Sequence, residues 1–372
     1  MIRLSKSCLS NNEKQAVLRV LDNEFLGMGA EVENFEDKLT KFFGRPAVCV
    51  STGTAALHLA LQAAGIGTGD EVLVQSLTYI ASFQAISATG ATPIACDVNE
   101  DTLCLDWKDA EKKITPKTKA IMPVHYSGGV GLLDEIYAFA NKYNLRIIED
   151  AAHAFGTEYK GQRVGGFGDI TCFSFDGIKN ITSGEGGCIV TNDANVLRKV
   201  KEARLLGVEN DTENRFAGKR SWDFDVKSQG WRYHMSDIMA SIGIEQLKRY
   251  SEFSCHRQKL AAIYDSFFVD NLQITRISHN YAEVVPHIYV VRIKKMTNRN
   301  LLREELLKAG ISTGYHYQPN HLLTYYKNGS GRLPITEKIY PELLTLPMHP
   351  DISEDDVRFI STNLIDFLKY AC

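Results

Sequence analysis

Two hydrophobic rhythms alternate along the first half of this chain. Short apolar, β-branched runs occur at Ala47–Val50, Asp70–Val74, Thr92–Asp97, Ala120–His125, Leu145–Asp150, Ile170–Phe175 and Cys188–Thr191. Each reads as a buried strand. Between them lie stretches with helical spacing: Val32, Phe35 and Leu39 within 32–43, an Ala/Leu-rich run over 55–64, a run ending at Ile86, and residues 134–143. Residues 11–22 predict a further helix with Val17, Leu18 and Leu21 at helical spacing, and 193–206 a basic, solvated one. Strands alternating with helices predict an α/β layer on a mostly parallel sheet. Ligands of such sheets bind beyond the carboxyl ends of the strands.

After residue 206 the rhythm changes. Residues 208–230 are polar and aperiodic, which fits a functional or mobile loop. Ser236 is placed to cap a helix that runs through about Arg249 and on to Phe268. That helix leads to a strand over His287–Ile293, a helix over Arg299–Ala309 and a closing helix over Glu354–Lys369, capped by Ser353. The expected division is a large domain over 1–245 and a small α+β domain over 246–372.

Composition narrows the classes without choosing among enzymes. Of 372 residues, 44% are hydrophobic and 23% charged, as in an ordinary soluble globular protein. A formal net charge of −3 gives no reason to expect nucleic-acid binding. No apolar run reaches membrane-spanning length, and the N-terminus lacks the apolar centre of a signal peptide. The eight cysteines are scattered and form no Cys-x-x-Cys pair. They read as reduced thiols in a cytoplasmic protein without a structural metal site.

The candidate chemistry centres on Asp169–Gly187, where Lys179 sits in a turn between two buried strands. A lysine there is costly unless its amine is neutral, paired or covalently used; an ordinary surface-loop lysine is the plain alternative. Upstream, Asp150 closes a strand. Pyridoxal phosphate needs a lysine for its covalent link and an acid facing its ring nitrogen. Its phosphate needs hydroxyl and amide donors. Lys179, Asp150 and Ser174 supply one such set. Ser51-Thr-Gly-Thr, at a strand-to-helix turn, offers the amides of Gly53, Thr54 and Ala55 to a phosphate. A helix cap by Ser51 or Thr52 with no ligand accounts for the same residues. Tyr79, at a strand end, suits either ring stacking or core packing.

Five runs then extend the match: Ser51-Thr-Gly-Thr-Ala-Ala-Leu57, Glu149-Asp-Ala-Ala-His153, Ser174-Phe-x-x-x-Lys179, Gly184-Glu-Gly-Gly187 and Met235-Ser-Asp237. In content and order the chain resembles the DegT/StrS nucleotide-sugar aminotransferases over nearly its whole length. The resemblance implies the fold-type I aminotransferase architecture, with a mostly parallel sheet sandwiched by helices. It implies pyridoxal 5′-phosphate held by Lys179, which also serves as base, with Asp150 at the ring nitrogen and Tyr79 against the ring. His153 would contact the 3-hydroxyl, a structural histidine being the alternative. The family's phosphate donor from the neighbouring subunit of a homodimer falls at Arg232, giving shared active sites. Here the chain departs from the pattern, with Arg232-Tyr233-His234 in place of Asn-Tyr-Arg.

The same resemblance assigns substrate contacts to Leu26 and Met28 in the glycine-bearing loop 24–29, to Glu185, and to His316, Tyr317 and His321. A plain connector, and a strand ending at a proline, are the bland readings of the first and last of these segments. The implied reaction moves an amino group from glutamate to a nucleotide-linked keto-6-deoxyhexose in amino-sugar or polysaccharide precursor synthesis. His234-Met-Ser-Asp, where members acting on 3-keto sugars carry Arg-Leu-Asp, points to a 4-keto acceptor. A 3-keto acceptor and a non-catalytic sensor of cofactor or sugar are the alternatives. A dehydrating branch carries histidine in place of the lysine, and Lys179 argues against it.

Overall fold

The computed structural model describes residues 1–220, 222–294, 296, 298–327 and 331–370; Ser221, within the expected loop, and Cys372 lie outside them. Its main sheet has seven strands: β1 (Ala47–Val50), β2 (Glu71–Gln75), β3 (Thr92–Cys96), β4 (Thr118–Met122), β5 (Arg146–Asp150), β6 (Ile170–Ser174) and β7 (Gly187–Thr191). Their order is β1-β7-β6-β5-β4-β2-β3, and β7 alone runs against the others. Strands such as β6 and β7 are buried throughout, as expected of a sheet covered on both faces. The Gly53–Ala63 helix packs against β1, β6 and β7, with Leu57, Leu59, Ala60 and Leu61 in the core.

Beyond this sheet, β8 (Ile274–Arg276), β9 (Tyr289–Ile293) and β10 (Leu343–Leu346) form an antiparallel sheet with β9 in the centre. The helices Tyr250–Phe268 and Glu354–Tyr370 share a second core with it, built on Leu260, Tyr264, Val291, Leu344 and Ile360. The expected mostly parallel α/β architecture is the one observed.

Several elements differ from expectation for identifiable reasons. The Asn11–Asp22 helix buries Glu13, Ala16 and Val20, leaving Leu18 and Leu21 47% and 45% exposed. Ser10 and Glu13 form a capping box, and the Glu13 carboxylate also accepts from Gln246 (2.7 Å) and Arg249 (3.2 Å). These bonds turn an acidic residue toward the body. The long helix predicted across Arg249 is two helices, Asp237–Lys248 and Tyr250–Phe268, because Arg249 leaves helical geometry (φ −95°, ψ 3°). Residues 208–230 contain a short helix, Asp211–Phe216. The strand expected from His287 begins at Tyr289: Arg257 takes the carbonyls of Pro286 (3.4 Å) and His287 (3.0 Å) out of sheet pairing. Ser353 caps the last helix as predicted, with its hydroxyl accepting from the Asp356 amide at 3.1 Å.

Candidate active site

The carboxyl ends of β1, β2, β5 and β6 meet at a cavity of about 450 Å³. That is within the usual range for a small-molecule site. Lys179 enters it from the turn after β6, and the residues that follow fix that turn. Asn180 donates to the carbonyls of Phe155 (3.2 Å) and Val285 (3.3 Å), and the Thr182 hydroxyl to that of Phe175 (3.2 Å). The Lys179 amine is held 3.5 Å from His287 Nε2. Burial lowers its pKa to about 8, against the opposing pull of the Asp150 and Asp176 carboxylates. A lysine so placed is a usable base near neutral pH.

Asp150, the last residue of β5, lines the same cavity. Its Oδ2 accepts from the buried Ser82 hydroxyl at 2.7 Å and its Oδ1 from the Ala152 amide at 3.2 Å. Ser82 is in turn 3.1 Å from the Thr78 hydroxyl. The carboxylate is thus aimed before any ligand arrives. Removing the hydroxyl (Ser82→Ala) is expected to slow turnover by about tenfold, the scale of one hydrogen bond to a charged group. Steady-state kinetics on the variant with full cofactor content tests this; an unchanged kcat would remove Ser82 from the site.

The corner between β1 and β6 answers the anion question in part. Thr52 caps the Gly53–Ala63 helix by accepting from the Ala55 amide at 3.0 Å. Ala55, expected as a phosphate donor, therefore has its N–H turned to the cap. The amides of Gly53 and Thr54, which have no acceptor one turn back, remain available beside the Ser174 hydroxyl. Gly53 approaches β6 so closely that a Cβ there would fall 2.7 Å from Ser174 Cβ.

The opposite wall is aromatic. Tyr317 OH lies 2.9 Å from His153 Nε2, and its ring is 5.6 Å from that of Tyr79. His316, also in the wall, has its Nδ1 2.8 Å from the Thr345 hydroxyl. Burial, with the Lys179 charge adding to it, holds His153 well below the ordinary histidine range and His316 at about 4. Both rings are neutral at physiological pH. Glu185 lines the cavity near Asp176, and its pKa is raised by burial and then by that neighbour.

The structure thus brings together Lys179, Asp150, Gly53, Thr54, Ser174, Tyr79, His153, Glu185, His316 and Tyr317. Four other sequence candidates lie elsewhere in this chain. Met28 is buried in the core with Val32, Phe35 and Met235, and Leu26 faces solvent. His321 is buried behind the wall, with Nδ1 2.7 Å from the Ser76 hydroxyl. Arg232 is exposed, its backbone bridged to Leu205. Sequence reasoning passed over Ser82, Asp176 and His287. Thr78 and Ser82, four apart at the start of the helix after β2, carried a readable signal; His287 carried none, since its approach depends on how the two sheets pack.

This constellation fits pyridoxal phosphate: a buried amine of lowered pKa, a fixed carboxylate, and free amides with a hydroxyl at a helix start. Residues 7–364 match the DegT/DnrJ/EryC1/StrS aminotransferase family. The chain belongs to that family. Among its relatives, the spore coat polysaccharide biosynthesis protein SpsC of Bacillus subtilis (strain 168) is 36% identical, over 98% of this chain and 96% of SpsC. Spr1654 of Streptococcus pneumoniae, solved in PMP and PLP forms, superposes with a TM-score of 0.93 in each and is 31% identical. The PMP-form match covers 100% of both chains. The sugar aminotransferase CalS13 of Micromonospora echinospora gives a TM-score of 0.90 at 28% identity, covering 98% of this chain and 100% of CalS13. As a member of the DegT/DnrJ/EryC1/StrS family, this protein is an aminotransferase, and no helix among its described residues is long and apolar enough to cross a membrane.

Proposed function

We propose that this aminotransferase moves an amino group from glutamate to a nucleotide-linked 4-keto-6-deoxyhexose, with Lys179 and Asp150 as its catalytic residues. The enzyme is a sugar aminotransferase and its cofactor is pyridoxal 5′-phosphate, in keeping with the family and with the forms in which Spr1654 was solved. The observation that carries the residue assignment is the convergence of Lys179, Asp150 and the Gly53–Thr54 amides on one cavity. When bound there, pyridoxal phosphate withdraws the electrons left behind as the donor carbon loses its proton.

The protein's own groups do the rest. Lys179 Nζ would take the proton from the donor α-carbon and return it two atoms along, at the C4′ position of the cofactor. Asp150, fixed by Ser82, would keep the ring nitrogen protonated. The Gly53 and Thr54 amides and the Ser174 hydroxyl would hold the phosphate, Tyr79 would pack on the ring, and neutral His153 would serve its 3-hydroxyl. Glu185, His316 and Tyr317 border the space left for the sugar. Since only the neutral amine accepts a proton, the glutamate half-reaction is expected to speed up as pH rises through about 8. A stopped-flow pH profile that is flat from 7 to 9 would separate the rate from Lys179.

Arg232 is exposed and free to serve the partner in a homodimer. The exposed Leu18, Leu21 and Phe25, along one helix and the loop after it, support association. Mixing Arg232→Ala and Lys179→Ala protomers is expected to restore part of the activity, because a mixed dimer holds one site with both groups. No recovery in confirmed mixed dimers would count against sharing. The 4-keto acceptor is supported by His234-Met-Ser-Asp. Incubation with glutamate and a panel of nucleotide keto-sugars tests it: an aminated product with nitrogen at C4 is expected, and nitrogen at C3, or 2-oxoglutarate without any aminated sugar, would overturn it.

A further inference from the structure

His287, on the approach to the second sheet, reaches the lysine. It is 3% exposed, lines the cavity, and places Nε2 3.5 Å from Lys179 Nζ. Its position is set from two sides. Arg257 grips its carbonyl at 3.0 Å, and the His153 ring packs against it at 4.6 Å between centroids. The other ring nitrogen, Nδ1, is buried without a hydrogen-bond partner among the described residues.

That orphan nitrogen decides how the pair works. A neutral imidazole carries its proton on one nitrogen and a lone pair on the other. A proton on Nδ1 would bury an N–H with nothing to receive it, whereas a bare lone pair is the smaller penalty. The proton therefore sits on Nε2, where it points at Lys179. An N–H donor facing an amine is satisfied only when the amine offers a lone pair; an ammonium would present N–H to N–H.

We propose that His287 is a positioning residue that donates its Nε2–H to the freed Lys179 amine and so holds that amine neutral and aimed into the cavity. The proposal rests on the reading of Lys179 as the base. The balance is simple: Lys179 gains one proton from the donor carbon, becomes an ammonium, and loses the His287 bond. Passing the same proton onward restores it. His287 keeps its own proton throughout, as its surroundings require. Burial first, then the positive charges of Lys179 and Arg257 and the nearby His153 and His316, oppose a second proton on the ring. The carboxylates that oppose this effect on Lys179 are Asp150 and Asp176.

The test uses full-length enzyme with its cofactor in the amine form, which leaves Lys179 free. Histidine labelled with ¹⁵N, read by long-range proton–nitrogen correlation and assigned by difference against His287→Gln, reports the tautomer directly. The Nε2–H form is expected at His287 at pH 9, above the Lys179 midpoint of about 8, where the amine is neutral. The Nδ1–H form, or a doubly protonated ring, would overturn the proposal. Independently, the pH midpoint for reductive methylation of Lys179, followed by peptide mass spectrometry, is expected to rise in His287→Ser. An unchanged or lowered midpoint in folded protein would also overturn it. Whether Lys179 carries the cofactor at all is read separately, by borohydride trapping of the aldehyde form, so failure of that assignment is distinguishable from failure of this one.

Discussion

Lys179→Ala protein is expected to fold, to lose the visible absorbance of the lysine-linked cofactor, and to lose at least about 10²–10⁴ of its turnover, the usual share of a positioned acid–base group. The fold should survive because the turn is held by Asn180 and Thr182, not by the lysine. Removing a buried amine of lowered pKa also removes a group that burial disfavours when charged. Thermal unfolding of the cofactor-free variant should therefore match or exceed that of cofactor-free wild type. A variant that keeps both the absorbance band and most of its turnover would place the cofactor on another amine.

Asp150→Asn separates binding from electronics. The amide fills the same space and still accepts from Ser82 through its oxygen, so the cavity wall should persist. A neutral group no longer stabilises a proton on the ring nitrogen. Turnover is expected to fall by about a hundred- to a thousandfold, the scale of one preorganised electrostatic contact, with cofactor content largely kept. Turnover within a few-fold of wild type would remove the electronic role of Asp150. Complete loss of cofactor would make that residue a binding group instead.

Much of this arrangement was legible in the chain. The apolar runs located all seven strands of the main sheet, since strands buried on both faces leave an unmistakable β-branched signature. Asp150 and Ser174 were visible because they end such strands, and Lys179 because it sits in the turn that follows one, where the sheet itself brings them together. Signals failed where packing, not local pattern, makes the decision. Leu18 and Leu21 have helical spacing, yet the helix is turned by a carboxylate bonded to residues more than two hundred positions away. Met28 looked like a loop residue at the cavity mouth and instead fills the core beside Met235. His321 shares a run with His316 and Tyr317, but the turn at Asn320–Leu322 sends it behind the wall to Ser76. His287 reaches Lys179 only because two sheets far apart in sequence are packed together, and no spacing rule reports that.

Borohydride reduction of the purified holoenzyme, followed by peptide mapping, tests the central assignment most directly. A single phosphopyridoxyl adduct on the peptide that contains Lys179 is the predicted result. An adduct on any other lysine, or none on a protein that retains the cofactor, would contradict it.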